Sequence, residues 1–234
     1  MATLLAATNL AAATSKDSGI SWEDRMAAIA SMPIDATDSC DDFVEERGMT
    51  DDELESSARH QGVPQRIIDT LKAEFLDTQA IDCIQSFLNA PREAWCIVLA
   101  GPKGCGKSTA AGLYLWEKTR PNHKSPPKDM TWWTAARVSR ISSFNDQLDK
   151  VMKTKTIVID DLGVEYLDKN GHFNHRLDEL IDERYSNYRK TVITTNLNAR
   201  DFQSRYGVRV ADRIREGFKH GGAYVEINQG TLRS

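Results

Sequence analysis

The sequence predicts an α/β protein with a mainly parallel sheet. Three observations carry this. Apolar runs bounded by polar residues recur at 95–100, 156–161 and 191–196, as in strands buried on both faces of a sheet. Segments with helical spacing lie between them, so strands and helices alternate. The first run passes through a glycine-rich turn directly into a helical stretch, Thr109 to Trp116. No internal repeat is visible.

The elements follow in order. Residues 1 to about 20 are rich in Ala, Thr and Ser, with little to bury, and are expected to be disordered. Short helices are expected over 21–30 and over 38–47, the second with Phe43 and Val44 as its apolar contacts. Thr50 and Glu53 have capping-box spacing and start a helix that ends near Gly62. Residues 64–75 are amphipathic, with Ile67, Ile68, Leu71 and Phe75 near one face. Residues 80–88 continue helically with Ile81, Ile84, Phe87 and Leu88 inward, and Pro91 stops them before the first strand. Residues 121–128 are a loop by composition. A strand is expected over 130–134. One helix or two follow over 135–152, with Val138, Ile141, Phe144, Leu148 and Val151 as the apolar stripe. After the strand 156–161 come a helix over 172–188, the strand 191–196, helical pieces over 202–215 and an alternating strand over 223–227.

Composition narrows the class. The chain has 234 residues, 40% hydrophobic and 27% charged, enough for one α/β domain with an N-terminal extension. No apolar run approaches a membrane span, and Met1 to Leu10 lacks the positive region of a signal peptide. A cytoplasmic location and no membrane partner are therefore expected. Cys40, Cys83, Cys96 and Cys105 show no Cys-x-x-Cys spacing, so neither a zinc site nor a disulfide framework is indicated. The net charge of −4 is unevenly spread. Residues 1–60 hold thirteen Asp/Glu against four Lys/Arg, while the remainder holds twenty-one against twenty-six. An acidic front and a mildly basic body suggest different partners.

The turn between the first strand and its helix reads Gly101-Pro102-Lys103-Gly104-Cys105-Gly106-Lys107-Ser108, with Thr109 next. Gly, four residues, Gly-Lys-Ser between a strand and a helix is the phosphate-binding loop pattern. Gly101, Gly104 and Gly106 permit positive φ, so that backbone N–H groups turn inward as an anion nest. The helix beginning near Lys107 aims its positive end at the same point. Lys107 places a charge on the β- and γ-phosphates, and Ser108 supplies a hydroxyl to Mg²⁺. The cofactors expected are ATP and Mg²⁺. Cys105 is expected to fill a non-glycine loop position.

Parallel sheets place ligands at the carboxyl ends of their strands. The strand 156–161 ends in Asp160-Asp161, and 191–196 ends in Thr195-Asn196. Asp160 is assigned to the metal and Asp161 to the base that polarises the attacking water. Asn196 would orient that water or contact the γ-phosphate.

Residues 101–108, Ile159-Asp160-Asp161-Leu162-Gly163-Val164-Glu165, Thr194-Thr195-Asn196-Leu197 and Arg209-Val210-Ala211-Asp212-Arg213-Ile214 together resemble the AAA+ ATPases of the DnaC/IstB type. These are replicative-helicase loaders and the ATPase helpers of insertion-sequence transposases. Gly62-Val63-Pro64-Gln65-Arg66 resembles the segment that opens the family's core, so the likeness covers about 62–234. It implies a P-loop AAA+ domain over 62–234 without a C-terminal lid. Residues 1–61 match no zinc domain of the family, having a single cysteine; their acidic helices are expected to dock a basic surface on a helicase or transposase. It implies that Arg213 is an arginine finger reaching the γ-phosphate on a neighbouring subunit, with Arg209 the arginine just before it. It implies that Arg233 contacts the nucleotide in cis. The base position is Asp161 rather than the Glu of most AAA+ enzymes, which implies slow hydrolysis.

The reading is an ATPase that self-associates through a shared ATP site, binds single-stranded DNA and delivers a replicative helicase. Arg137, Arg140, Lys150 and Lys153 are the candidate DNA contacts. The alternatives are a transposition helper with a transposase and duplex DNA as partners, and a nucleotide switch that scarcely hydrolyses ATP. A small-molecule kinase fits less well, because no acceptor-binding lid is evident.

Overall fold

A computed structural model describes residues 49–73, 77–120, 129–141, 146–165 and 171–228. The stretch 1–20, the helices expected over 21–30 and 38–47, Phe75, the loop 121–128, Phe144 and Arg233 lie outside the described residues. Helix α1 is Asp51–His60, α2 Gln65–Ala73, α3 Gln79–Leu88, and strand β1 is Cys96–Ala100. Helix α4 is Lys107–Thr119, β2 Met130–Thr134, α5 Ala135–Ser139, α6 Asp146–Lys153 and β3 Thr156–Leu162. Then come α7 His172–Ser186, β4 Lys190–Thr195, α8 Ala199–Tyr206, α9 Val208–Glu216, a 3-10 turn at Gly217–His220 and β5 Ala223–Glu226.

The five strands are all parallel, in the order β2-β3-β4-β1-β5. Successive side chains on each inner strand feed opposite cores. Ile97, Leu99, Val158 and Val192 pack with Ile68, Ile84, Tyr114 and Leu115. Val98, Ile157, Ile159 and Ile193 pack with Leu177, Leu180, Phe202 and Val210 on the other face. Burial on both faces explains why these strands are apolar throughout. At the edge, β5 keeps the expected alternation: Ala223 and Val225 lie against one core and Tyr224 against the other, all half-buried.

The start of α1 is the expected capping box. Thr50 Oγ1 accepts from the Glu53 amide at 3.3 Å, and Glu53 accepts from the Thr50 amide at 2.7 Å. The compact unit holding the sheet begins at Arg47. Leu54 and Ala58 of α1 are buried in the same core as α2–α4. Helix α1, counted with the acidic extension in the expectation above, thus packs on the nucleotide-binding fold. Residues 135–152 divide into two helices, and so do residues 199–216. The second break is at Gly207, whose φ of 93° suits glycine.

The register levels the carboxyl ends of the strands. Ala100 pairs with Thr195, and Thr134 pairs with Asp160. A bulge between Ile159 and Leu162 shifts the β3–β4 register, and Asp161 occupies it with a φ of 58°.

Candidate nucleotide site

Because the strand ends are level, the glycine loop, the Asp160-Asp161 pair and Asn196 meet at one rim. They line a cavity of about 560 Å³, within the usual range for small-ligand pockets. Lys103, Gly104, Gly106, Lys107, Ser108 and Thr109 form one side, with Asp160, Asp161, Val164 and Asn196 beside them. The opposite wall is Pro64, Arg66, Ile67 and Thr70 from α2 and its lead-in, with Thr78, which caps α3, and Ile81 from α3.

Lys107 is 6% exposed. Its ammonium donates to the carbonyls of Gly101 at 2.8 Å and Pro102 at 2.7 Å, and to Asn196 Oδ1 at 3.1 Å. The Ser108 hydroxyl donates to Asp160 Oδ1 at 2.8 Å, and the Thr194 hydroxyl donates to the same oxygen at 2.6 Å. Burial pushes the Asp160 carboxyl above the usual carboxylate range; the hydrogen bonds from Thr194 and Ser108 pull the other way without cancelling it. Asp161 is exposed, and its amide donates to Thr194 Oγ1 at 2.9 Å. One threonine hydroxyl therefore sets both carboxylate residues.

Gly104 and Gly106 take φ of 86° each, as the anion-nest reading requires. Gly101 also takes a positive φ, of 151°, but its amide departs from that reading. Its amide donates to Thr195 O at 3.2 Å, continuing the sheet, so this N–H is not turned toward an anion. Glycine is needed there for room: a Cβ at 101 would stand 2.6 Å from the Ile227 carbonyl. Cys105 is fully buried and packs into the core rather than lining the cavity, as the loop-filling reading requires. Pro102 is likewise absent from the lining and enters through its carbonyl on Lys107.

The residues fit Mg²⁺ and a nucleoside triphosphate. A hydroxyl and a carboxylate already in contact, Ser108 and Asp160, are the hard oxygen donors that Mg²⁺ accepts alongside phosphates and water. The nest, Lys107 and the α4 N-terminus supply the anion side.

Arg213 stands outside the cavity lining. Its side chain is 14% exposed and pairs with Asp178 at 2.8 Å and with Asp182, both on α7. Arg209, 64% exposed, bridges the same two carboxylates at 3.1 and 3.3 Å. Arg137, Arg140, Lys150 and Lys153 are all exposed along the β2–β3 connection. The Arg137 guanidinium lies 4.0 Å over the Trp133 ring, and Lys153 pairs with Asp149.

Sequence reasoning missed two sets of residues. Thr194 was visible only as part of a polar strand tip. On the far wall, helical spacing marks Ile67 and Ile81 as core residues and gives no sign of Thr70 or Thr78. Pro64 and Arg66, quoted for the resemblance, were the one available signal.

Comparison with known proteins agrees with this geometry. A family model described as IstB-like ATP binding protein matches residues 60–234. Among solved structures, the chain is similar to the DnaC helicase loader, at 21% identity and a TM-score of 0.53, over 70% of this chain and 100% of that one. It is similar to DnaI, at 17% identity and a TM-score of 0.51, over 70% and 94%. It is also similar to AMPPCP-bound DnaA from Aquifex aeolicus, at 14% identity and a TM-score of 0.51, over 65% of this chain and 48% of that one. These likenesses carry the fold. No curated protein sequence matches. Among the described residues, no helix is long and apolar enough to cross a membrane.

Proposed function

This chain belongs to the IstB-like ATP-binding protein family, and from that premise we propose that it hydrolyses ATP at a site shared between subunits and loads a replicative helicase onto single-stranded DNA. The observation that carries the reading is the convergence of Lys107, Ser108, Asp160, Asp161 and Asn196 on one cavity rim. A helix N-terminus, a lysine, a paired hydroxyl and carboxylate, and an exposed second carboxylate are the parts phosphoryl transfer needs.

In this reading the loop amides and Lys107 hold the β- and γ-phosphates. Bound Mg²⁺ would neutralise charge on the phosphate oxygens, held by Ser108 and Asp160. Asp161 takes the proton of the attacking water, and Asn196 orients that water. Ile67 and Ile81 offer the base an apolar wall. Arg213 of one subunit serves the site of the next, and Arg233 contacts the nucleotide in cis. The α5–α6 cations contact DNA phosphates, and the acidic front of the chain docks a basic surface of the helicase. Membership of the IstB-like family supports a second reading equally, that of the resemblance's other branch: a transposition helper that acts on duplex DNA with a transposase.

The test is ATP turnover by the wild type, Arg213→Ala and Arg213→Lys, across protein concentrations, with no DNA, single-stranded DNA or duplex. Turnover is expected to rise with concentration and with single strands. Arg213→Ala should still bind ATP and lose roughly a thousandfold in turnover. Stimulation by duplex alone moves the reading to the transposition helper. Turnover independent of concentration and indifferent to Arg213 overturns the shared site. An absence of turnover under every condition leaves the nucleotide switch.

A further inference from the structure

The turn that presents Asp161 is held by a carboxylate that reaches neither the cavity nor solvent. Asp161 takes a left-handed conformation, which a non-glycine residue keeps only when its surroundings impose it. The Val164 amide closes the turn on Asp161 O at 3.3 Å. Strand β4 holds it on one side: Thr194 accepts from the Asp161 amide, and Thr195 Oγ1 donates to Leu162 O at 2.5 Å. On the other side the Gly163 amide donates to Glu165 Oε2 at 2.7 Å.

The Glu165 side chain is 0% exposed. Its second oxygen, Oε1, accepts from Arg205 Nε at 3.0 Å, Arg205 Nη2 at 2.9 Å and Tyr206 Oη at 2.7 Å. Arg205 Nη2 also donates to the Glu165 carbonyl at 3.2 Å. Both donors end α8, directly before the Gly207 break into α9, with Tyr206 its last residue, and α9 carries Arg209 and Arg213. The Arg205 carbonyl is tied in turn to α7, accepting from Asn174 at 2.9 Å. A buried carboxylate with four donors is a costly way to fill space that an apolar side chain would fill. What it supplies instead is direction: a fixed acceptor under Gly163 and a fixed anchor for the α8–α9 corner.

We propose that Glu165 is a positioning residue whose buried carboxylate fixes the Asp161 turn at the rim of the cavity and locks that turn to the α8–α9 corner from which Arg209 and Arg213 project. The role in turnover rests on the ATPase reading above; the hold on the turn does not. Occupancy of one subunit's site and the placement of its arginines toward the next are then mechanically joined, through side chains that touch neither nucleotide.

The test compares wild type with Glu165→Gln, Arg205→Lys and Tyr206→Phe. Glu165→Gln keeps the shape but exchanges one acceptor for a donor facing donors. Its kcat should fall about tenfold or more, with KM and the affinity for a non-hydrolysable ATP analogue within about threefold of wild type. The Gly163 amide should exchange with solvent at least about tenfold faster, while β3 amides keep their protection. Arg205→Lys and Tyr206→Phe, each removing part of the donor set, should fall between. Wild-type kcat in Glu165→Gln overturns the proposal. So does a parallel loss of analogue affinity, kcat and unfolding midpoint with Tyr206→Phe at wild-type turnover, since that is a purely structural role. Should Glu165→Gln not fold, wild-type kcat in both other variants overturns it. Should the wild type turn over no ATP, the hydrolysis reading falls separately, and unchanged Gly163 exchange in Glu165→Gln or Tyr206→Phe overturns the hold on the turn.

Discussion

Asp160 is buried among hydroxyls, with the exposed Asp161 next to it, and its carboxyl is driven above the usual range by that burial. A cation would relieve the cost, so the residue is set for binding at the expense of stability in the free protein. Asp160→Asn is expected to leave the unfolding midpoint unchanged or raise stability by up to about 1 kcal/mol. The same change should lower the Mg²⁺-dependent part of ATP affinity at least about tenfold. Thermal denaturation and analogue titration with and without Mg²⁺ check the two halves. The pH sign follows from the raised pKa. The native state holds this proton more readily than the unfolded chain, so its contribution to stability is present at low pH and lost as pH rises through the folded value. The Asn variant should lack that slope. At this scale the sequence was explicit about Lys107, Ser108 and the carboxylates, because spacing along the chain places them. Thr194 was not legible, since its two hydrogen bonds depend on the β3–β4 register and the bulge at Asp161.

Among elements, the pairing of α2 with α4 decides the far wall of the cavity. Gly112 of α4 lets α2 approach: a Cβ there would stand 2.4 Å from Ile67 Cγ2. Ile67 is both a core contact and a lining residue. Gly112→Ala should therefore push α2 outward, costing about 1–3 kcal/mol despite the better helix propensity of alanine. It should also weaken adenine-nucleotide binding more than tripolyphosphate binding, because the phosphate side is untouched. Parallel titrations of ATP analogue and tripolyphosphate measure that ratio; equal weakening would mean that α2 does not form the base wall. Helix α2 was readable over its described length from its amphipathic period, and the capping box at Thr50 marked α1. That α2 serves a site was not readable, because helical periodicity reports which face is covered and not by what.

At the scale of the whole molecule, the described residues form two cores on either side of one sheet, and Arg184 is a tie between their parts. Its side chain is fully buried. It donates to Thr191 Oγ1 and to the carbonyls of Val151, Met152, Thr154 and Lys190. These lie on α6, the α6–β3 turn and β4. Arg184→Met keeps the bulk and strands several acceptors, and is expected to cost about 2–4 kcal/mol in one cooperative transition. Urea unfolding followed by two probes would measure it. A loss confined to α6, with the rest unchanged, would mean that the tie is local. Arg213 poses the same question between subunits. It is held in cis by Asp178 and Asp182, so Arg213→Ala removes both a candidate finger and an internal pair. Arg213→Lys separates these, because a point charge can keep the pair and still lacks the planar fork.

The sequence alone determined the fold class, the strand and helix order and the phosphate loop. Each is written in local spacing: apolar runs, helical periods and a strand-turn-helix glycine pattern. Tertiary structure decided what spacing cannot carry. It turned Gly101 from an anion-nest member into a sheet position beside Ile227, and made Thr194 the shared contact of the Asp160 carboxylate and the Asp161 amide. It placed Ile67 and Ile81 on the cavity wall, and enclosed Glu165 between the Asp161 turn and α8. Each of these depends on which distant backbone arrives alongside. Parallel strands separated by long crossovers acquire such neighbours only when the sheet closes its register.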